Sequence, residues 1–380
     1  MTPRILIIAG SDSGGGAGIQ ADIKTVTMLG GHAMTAITAI TAQNTLGVQA
    51  VMPVPTDMVI AQIDSVASDI GMDAVKIGMI GSAETAHAVA DRLEAMSGIP
   101  IVFDPVMVAT SGALLADDAT IAAFARLMRI ATVTTPNLPE LAVLGGEAAV
   151  RSGSAAVLVK GGHGEGDEIV DRLIFADGSE VRWADPRIPT RHNHGTGCTL
   201  ASAVATGLGR GMSLSNAVAR ARIFVRLALH DAPGFGAGHG PMGHQAVRLD
   251  VALGGDISGP MLNQITLPMT DYEASAAFYR LLGLHQIVES APRYARFESA
   301  GGGTLSIETA DEIAGKPVIF LECGDLDGIV ARLRAAGVAI SNPTLESWSW
   351  REARLVDPAG NAICLYQAGE NRRFPPWRLS

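Results

Sequence analysis

Four short blocks of this sequence carry residue types that can bind and move a charged group. The first is Ala9-Gly-Ser-Asp-Ser-Gly-Gly-Gly-Ala-Gly18, with Ile19-Gln-Ala-Asp-Ile-Lys-Thr25 behind it. Its glycines let a backbone come close to a ligand. No Gly-Lys-Ser/Thr ends the run, so it is not a Walker A loop, and a plain turn is the alternative. The second is Gly195-Thr-Gly-Cys-Thr199, which leads into a helical pattern of small residues over 200–208. A glycine turn at a helix N-terminus presents unpaired N–H groups and the positive end of the helix dipole. Gly195, Thr196, Gly197 and Cys198 would there meet charge developing on a transferring phosphoryl group. A cysteine in a first helical turn favours the thiolate; the alternative is a small buried cysteine in tight helix packing.

The third block is acidic: Asp104 closes Ile101-Val-Phe103, and Glu140 ends Asn137-Leu-Pro-Glu140. Two carboxylates with a carboxamide suit Mg²⁺, which keeps several waters and binds phosphate oxygens. The competing role for Asp104 and Asn137 is helix capping. The fourth is Lys160-Gly-Gly-His163, a lysine able to neutralise phosphate beside two glycines, unless it is an ordinary surface lysine. Backbone donors, a lysine, metal carboxylates and an anion hole together make the equipment of ATP-dependent phosphoryl transfer without a P-loop.

These blocks need a frame that brings their ends together. Short apolar runs at 5–9, 74–77, 101–103, 132–134 and 156–159 read as buried strands, with helical patterns between them at 56–69 and 83–96. Strand and helix in alternation imply a mostly parallel sheet with helices on both faces. Ligands in such sheets bind beyond the carboxyl ends of the strands, where all four blocks fall. The rhythm stops at a glycine- and proline-rich stretch after residue 235, and 245–260 reads as a linker. Beyond it the strands become short and alternating, with helices near 273–282 and 328–336. Asp271 and Asp325 are 54 residues apart, as are Gly283 and Gly337, so the second half reads as a duplicated unit. The expected domains are 1–244 and 261–368, with a tail at 369–380.

Composition agrees with this frame and removes other classes. The 380 residues are 48% hydrophobic with a mean hydropathy of +0.27, enough for a large core. A formal charge of −10, from 28 basic and 38 acidic residues, leaves no basic footprint for nucleic acid or an anionic membrane. Three scattered cysteines cannot build a disulfide framework, so a reducing cytoplasm is expected. There is no apolar run long enough to span a membrane, and the opening apolar run is too short for a signal peptide.

Residues 1–244 resemble the hydroxymethylpyrimidine/phosphomethylpyrimidine kinases of thiamine biosynthesis, in the ribokinase-like superfamily. Eight blocks in order carry the resemblance. They are Ala9-Gly-Ser-Asp12, Gly15-Gly-Ala-Gly-Ile-Gln-Ala-Asp-Ile-Lys-Thr25, Thr41-Ala-Gln-Asn-Thr45, Lys76-Ile-Gly-Met79, Asp104-Pro-Val-Met107, Thr135-Pro-Asn-Leu-Pro-Glu140, Lys160-Gly-Gly-His163 and His194-Gly-Thr-Gly-Cys-Thr199. The resemblance implies a three-layer αβα fold. It also implies two steps with ATP and Mg²⁺: phosphorylation of 4-amino-5-hydroxymethyl-2-methylpyrimidine, then of its monophosphate to the diphosphate. Carried over, Gly10, Asp22, Gln43, Met79 and Val106 hold the pyrimidine. Lys160, Thr196 and Asn137 hold the nucleotide, and Lys160 with Gly195, Thr196, Gly197 and Cys198 forms the catalytic set. Asp104 and Glu140 organise Mg²⁺. A homodimer is expected on the same ground. The alternatives are a pyridoxal or other vitamin-precursor kinase, and a pyrimidine-binding sensor that has lost catalysis.

Two departures stand out. Where the family has Ala-Lys-Ser-Gly, this chain has Ala109-Thr-Ser-Gly112. Between Glu140 and Lys160 the crossover is about one helix shorter than the family's, which predicts a trimmed flank with the sheet kept.

Residues 261–368 resemble the vicinal-oxygen-chelate (glyoxalase/bleomycin-resistance) superfamily. The carriers are Leu262-Asn-Gln-Ile-Thr-Leu-Pro-Met-Thr-Asp271, Ala277-Phe-Tyr-Arg-Leu-Leu-Gly283, Gly324-Asp-Leu-Asp327 and Asp357-Pro-Ala-Gly-Asn361, and the duplication fits the paired βαβββ modules of that fold. The metal positions the resemblance implies fall on Gln264, Ser306 (or Glu308), Val318 and Cys364, a poor ligand set. No metal is therefore expected there. A small-molecule-binding or structural module is expected instead, with Trp348, Trp350, Tyr294 and Arg354 as lining residues.

Overall fold

Ile5, Leu6, Ile7 and Ile8 of strand β1 (Arg4–Ala9) are all at 0% exposure, because layers of helix cover both faces of the strand. The computed structural model describes residues 2–96, 98–108, 112, 115–247, 264–299, 303–310, 318–323, 326–347 and 350–367. The described residues form two compact units, one of residues up to 247 and one from 264 onward.

In the first unit, β1 lies between β2 (His32–Ile37) and β5 (Ala74–Ile77), parallel to both. The sheet continues in parallel through β6 (Ile101–Phe103), β7 (Val133–Thr134) and β8 (Ala156–Val159). It ends in the antiparallel pair β9 (Glu168–Phe175) and β10 (Glu180–Pro186). A separate ribbon of β3 (Ala39–Asn44) and β4 (Gly47–Pro53) rises beside β2. Helices α1 (Gly18–Met28), α7 (Thr196–Gly209) and α8 (Leu214–His230) bury one face of the sheet around Val204, Phe224 and Leu158. Helices α2 (Thr56–Asp69), α3 (Ala83–Glu94) and α4 (Asp118–Ile130) cover the other around Phe103, Phe124 and Ile63. The expected three layers are present.

The shortened crossover still spans its strands. It holds two short helices, α5 (Leu138–Val143) and α6 (Gly146–Gly153), joined at Gly145 with φ +90°. Thr134 stays opposite Val157 in the parallel ladder, so the residues 135–155 between the strands, more than the dozen a parallel crossover needs, suffice for the connection. The altered Ala109-Thr-Ser111 stretch lies outside the described residues.

The first unit runs past its expected limit. A 3-10 turn at His244–Ala246 packs into it, and Val247 is 2% exposed in the same core as Phe224. The start of the expected linker, 245–247, is thus packed structure. The rest of it and the tail at 369–380 lie outside the described residues.

The second unit shows the duplication. One sheet holds β11 (Gln264–Met269), β14 (Thr304–Thr309), β13 (Tyr294–Glu298) and β12 (His285–Ser290) in that order. The other holds β15 (Val318–Glu322), β18 (Ala362–Gln367), β17 (Arg351–Val356) and β16 (Thr344–Leu345). The order is the same in both. Helices α9 (Tyr272–Leu281) and α10 (Leu326–Ala335) have the same 54-residue offset at start and end. Asp271 caps α9 through Ala274 N–H at 3.0 Å; Asp325 lies outside the described residues.

Candidate active site

A cavity of about 730 Å³ opens at the carboxyl ends of β1, β6, β7 and β8, in the range of small-molecule sites. Strand β1 delivers the first block, β6 and β7 the two parts of the acidic one and β8 the lysine, while Gly195–Thr199 enters from the loop after β10. After β1 the glycine loop wraps Asp12, whose carboxylate accepts the N–H groups of Gly14 (2.8 Å), Gly16 (3.0 Å) and Ala17 (2.8 Å). Burial works against that charge, but His194 and these N–H groups outweigh it and hold the carboxyl below its usual range. The loop is thus organised by its own aspartate.

The second glycine turn leans on the first. Gly195 takes φ +85°, and a Cβ there would lie 2.0 Å from the Gly16 carbonyl oxygen, so only glycine fits. A Cβ at Gly197 would lie 3.2 Å from Lys160 Nζ and 3.6 Å from Asp104 Oδ2. Gly197 therefore leaves the N-terminus of α7 open to the charged groups on the neighbouring strands.

Those groups form one cluster. Lys160 Nζ lies 2.6 Å from Asp104 Oδ1 and 3.8 Å from Glu140 Oε2. Asp104 is 1% exposed and also accepts from Thr135 Oγ1 at 3.0 Å; it caps no helix. Burial works against the Lys160 ammonium, but the two carboxylates outweigh it and raise its proton affinity. Burial pushes Glu140 up to about 7; Lys160 pulls it down and Asp104 pushes it further up. Asn137 and Glu140 close a capping box on α5, each backbone N–H donating to the other's side chain at 2.8 Å. Asn137 is thus a helix cap that also lines the cavity.

Gly10, Gln43, Met79, Val106, Thr196 and Cys198 also line the cavity. Two expectations need correction. Asp22 is fully buried and lines no part of it. Its carboxylate accepts from Lys76 Nζ at 2.9 Å and from Ser202 Oγ at 2.7 Å, so it reaches the cavity only through Lys76. The Cys198 thiolate is also not favoured. Burial pushes the thiol up to about 11; Lys76 pulls the other way, while Asp22 and Asp104 add to the rise. Burial, more than the two carboxylates, keeps the thiol protonated.

Sequence reasoning assigned no role to Lys76, Asp12 or His194, although all three stand inside the matched blocks. It missed His244 altogether. This ring is fully buried, 2.8 Å from Thr199 Oγ1 in the first turn of α7, and burial lowers it to about 4. A lone histidine 45 residues downstream carries no sequence signal for that contact.

In the second unit, Gln264 sits opposite Thr304 and Val318 opposite Ala362. Ser306 and Cys364 are two positions further along, opposite Thr266 and Phe320, in both halves alike. Ser306 Oγ is 2.7 Å from Thr266 Oγ1, and Cys364 is fully buried. Glu308, the alternative to Ser306, lies opposite Pro268. Among the described residues no group of three or more metal-ligating side chains gathers anywhere. Trp350 stacks on Tyr366 at 4.5 Å, and Arg354 pairs with Glu352 at 2.6 Å. Tyr294 is half-buried; Trp348 lies outside the described residues.

Comparison with known proteins agrees with this architecture. Residues 12–243 match the phosphomethylpyrimidine kinase family. Residues 261–365 match the glyoxalase/bleomycin resistance protein/dioxygenase superfamily. A hydroxymethylpyrimidine/phosphomethylpyrimidine kinase from Rhizobium meliloti is 49% identical over 261 residues, 64% of this chain and 97% of that protein. An ADP complex of Bacillus subtilis pyridoxal kinase superposes with a TM-score of 0.60 at 30% identity, over 65% of this chain and 98% of that one. The phosphomethylpyrimidine kinase of Clostridium difficile gives 0.52 at 35% identity, over 60% of this chain and 98% of that one. Among the described residues no helix is long and apolar enough to cross a membrane. With its glycine turns, lysine and carboxylates gathered at the strand ends, the chain belongs to the phosphomethylpyrimidine kinase family of phosphotransferases, and carries a glyoxalase-like unit behind the kinase.

Proposed function

We propose that the first unit transfers the γ-phosphoryl group of ATP to the hydroxymethyl oxygen of 4-amino-5-hydroxymethyl-2-methylpyrimidine. It then phosphorylates the resulting monophosphate to the diphosphate, in thiamine biosynthesis. The observation that carries this is the convergence of Lys160, Asp104 and Glu140 beneath the open N-terminus of α7. A binding protein has no use for such a cluster.

In each step the acceptor oxygen bonds to the γ-phosphorus and the bond to the bridging oxygen of ADP breaks; the hydroxymethyl oxygen of the first step gives up its proton to solvent, and the phosphate oxygen of the second attacks already ionised. Little covalent chemistry falls to the protein in such transfers; it positions groups and meets charge. Gly10, Gln43, Met79 and Val106 line the pyrimidine end. Lys160, Asn137 and the N–H groups of Gly195, Thr196, Gly197 and Cys198 meet phosphate oxygens. Cys198 enters with its thiol protonated, so the turn acts through N–H groups rather than through a standing thiolate. The Lys160 ammonium would offset negative charge on the phosphate oxygens.

A divalent cation fits the donor set, since two carboxyl groups face a single ammonium. Asp104 and Glu140 would hold Mg²⁺, which when bound offsets the charge of the phosphate oxygens. We read the second unit as a metal-free small-molecule-binding or structural module: Val318 cannot ligate and Cys364 is fully buried. A homodimer in the cytoplasm completes the reading, the latter supported by three free cysteines.

The test is a mass-spectrometric product assay on the full chain with ATP and Mg²⁺. Hydroxymethylpyrimidine, its monophosphate and pyridoxal are supplied separately, because the likeness to a pyridoxal kinase favours that substrate as the second reading. Diphosphate from both pyrimidines supports the proposal. Product from pyridoxal alone replaces it with the second reading, and bound pyrimidine without product leaves a sensor.

A further inference from the structure

Arg187 follows β10 and lays its guanidinium on the loop that begins at Lys160. Its Nη1 donates to the Gly162 carbonyl at 2.9 Å, Nη2 to Gly164 at 2.7 Å and Nε to Gly166 at 3.0 Å. Three alternate carbonyls thus converge on one planar fork, a geometry that a point-like ammonium does not match. The loop has little slack around that hold. A Cβ at Gly161 would lie 2.1 Å from the Val170 carbonyl oxygen, and Gly166 takes φ +92°.

The start of the loop is tied down from other elements. Lys160 N–H donates to the Pro136 carbonyl at 2.9 Å, and Gly161 N–H donates to Asp171 Oδ1 at 2.8 Å. Arg222 of α8 donates to the other Asp171 oxygen at 2.7 Å and to Asp185 at 2.7 Å. Asp171 and Arg222 are both buried, so water does not loosen this tie. Gly162, His163 and Arg187 line the same cavity as Lys160.

The cations at this end are balanced unequally. Lys160 faces Asp104 and Glu140, and Arg222 faces Asp171 and Asp185. The bonds of the Arg187 guanidinium go to carbonyls, and among the described residues it forms no ion pair with a carboxylate. Its charge is felt at the cavity wall: burial lowers the proton affinity of His163, and Lys160 and then Arg187 lower it further.

We propose that Arg187 is a positioning residue for phosphoryl transfer: it curls the loop after Lys160 into a fixed wall and so sets where the Lys160 ammonium meets the nucleotide's terminal phosphates. This rests on the reading of the first unit as an ATP-dependent kinase. It adds a residue outside the four blocks and the end of the nucleotide on which that residue acts.

The test is calorimetric binding of ADP and of AMP, each with Mg²⁺, to the full chain and to variants whose melting temperature matches the wild type. Arg187→Leu is expected to weaken ADP by about tenfold or more and AMP by less than about twofold, because a displaced lysine is lost to the outer phosphate and not to the nucleoside. Arg187→Lys keeps the charge but not the fork, and is expected to recover little of the loss. Lys160→Met combined with Arg187→Leu is expected to bind ADP no more weakly than Lys160→Met alone, since one residue acts through the other. Should Arg187→Leu melt early, Arg187→Gln, which retains one donor, is read in its place. Equal weakening of ADP and AMP makes Arg187 a nucleoside or packing residue and overturns the proposal. Full recovery in Arg187→Lys, or additive losses in the double variant, also overturns it. A wild type that binds ADP but phosphorylates no pyrimidine removes the acceptor named above, while the binding results still decide the role of Arg187.

Discussion

Lys160 reaches from the end of β8 to Asp104 at the end of β6, and the two meet at 2.6 Å beneath the first turn of α7. The pair joins alternate strands of the sheet under the open N-terminus that Gly197 exposes. Removing the ammonium takes away a donor aimed at developing charge, which in comparable sites costs about 10²–10³ in kcat. Lys160→Met is expected to lose that much. It also leaves Asp104 buried without its partner, at a cost of about 3–5 kcal/mol in stability. Lys160→Arg is expected to recover the melting temperature but not kcat, because the longer planar head does not match the site. Full activity in Lys160→Met would remove this lysine from the phosphate site.

Glu140 titrates near neutrality, and the sign can be worked through. Burial lifts it from an ordinary 4.5 to about 7 in the folded chain. A raised folded value contributes stability below about 4.5 that is lost as pH rises through 7. Glu140→Gln keeps an acceptor for the Asn137 cap but removes the titration. Its melting temperature is therefore expected to gain on the wild type between pH 5 and pH 8. In the wild type, the Mg²⁺ concentration for half-maximal turnover is expected to fall over the same window as the carboxylate forms. Parallel melting curves for the two proteins across that range would rule out the shift.

Gly195 and Gly197 stand two residues apart and answer to different constraints. Gly195 holds a left-handed backbone against the Gly16 carbonyl, so Gly195→Ala is expected to lower the melting temperature and abolish turnover. Gly197 lies inside α7 with no left-handed strain, where alanine gains about 1 kcal/mol of helix propensity. The new Cβ would press on Lys160 at 3.2 Å. Gly197→Ala is thus expected to keep or raise the melting temperature while lowering kcat. Loss of stability in both would mean that the turn is only a packing element.

Much of this was readable before any coordinates. Helix 56–69 and the strands at 74–77, 101–103 and 156–159 have the expected limits, because apolar period and turn residues are local signals. Three of the four chemical blocks converge because parallel strands deliver them to one edge, and the fourth joins them at the start of α7. What could not be read was pairing across distance. Asp22 carries a binding-site signature, yet Lys76 and Ser202, 54 and 180 residues away, turn it inward. The protonation of Cys198 depends on its burial and on Lys76, Asp22 and Asp104, all remote in sequence. The contact of His244 with Thr199 needs the path of the chain after α8, which has no periodic signal.

Cys198 gives the clearest split between a base and a packing residue. A thiol pushed up to about 11 is expected to react slowly with iodoacetamide at pH 7.5 and faster only as pH climbs past 9, read by peptide mass spectrometry. Loss of a standing general base costs about 10²–10⁴ in rate. Cys198→Ser is expected to lose less than about 10². Fast alkylation at pH 7, with a larger loss in the variant, would restore the thiolate.

The limit of the kinase unit makes the last prediction. Met242, His244 and Val247 are 2%, 0% and 2% exposed within the first unit, and Gly243 N–H donates to Ala228 O at 2.8 Å. Gly243 has no room for a side chain, since a Cβ would lie 2.0 Å from Asp231 O. The segment is therefore core, and His244 braces the residue next to Cys198. A chain ending at Ile257 is expected to fold and retain kinase turnover, because it keeps this brace and drops only the glyoxalase-like unit. A chain ending at Gly240 loses the three buried side chains of Met242, His244 and Val247, and with His244 the Thr199 contact, so it is expected to melt lower and turn over slower. His244→Ala in the full chain is expected to reproduce part of that loss. Equal activity at both end points would show that α7 holds its first turn without this segment, and an inactive but folded 1–257 chain would make the second unit part of the active enzyme.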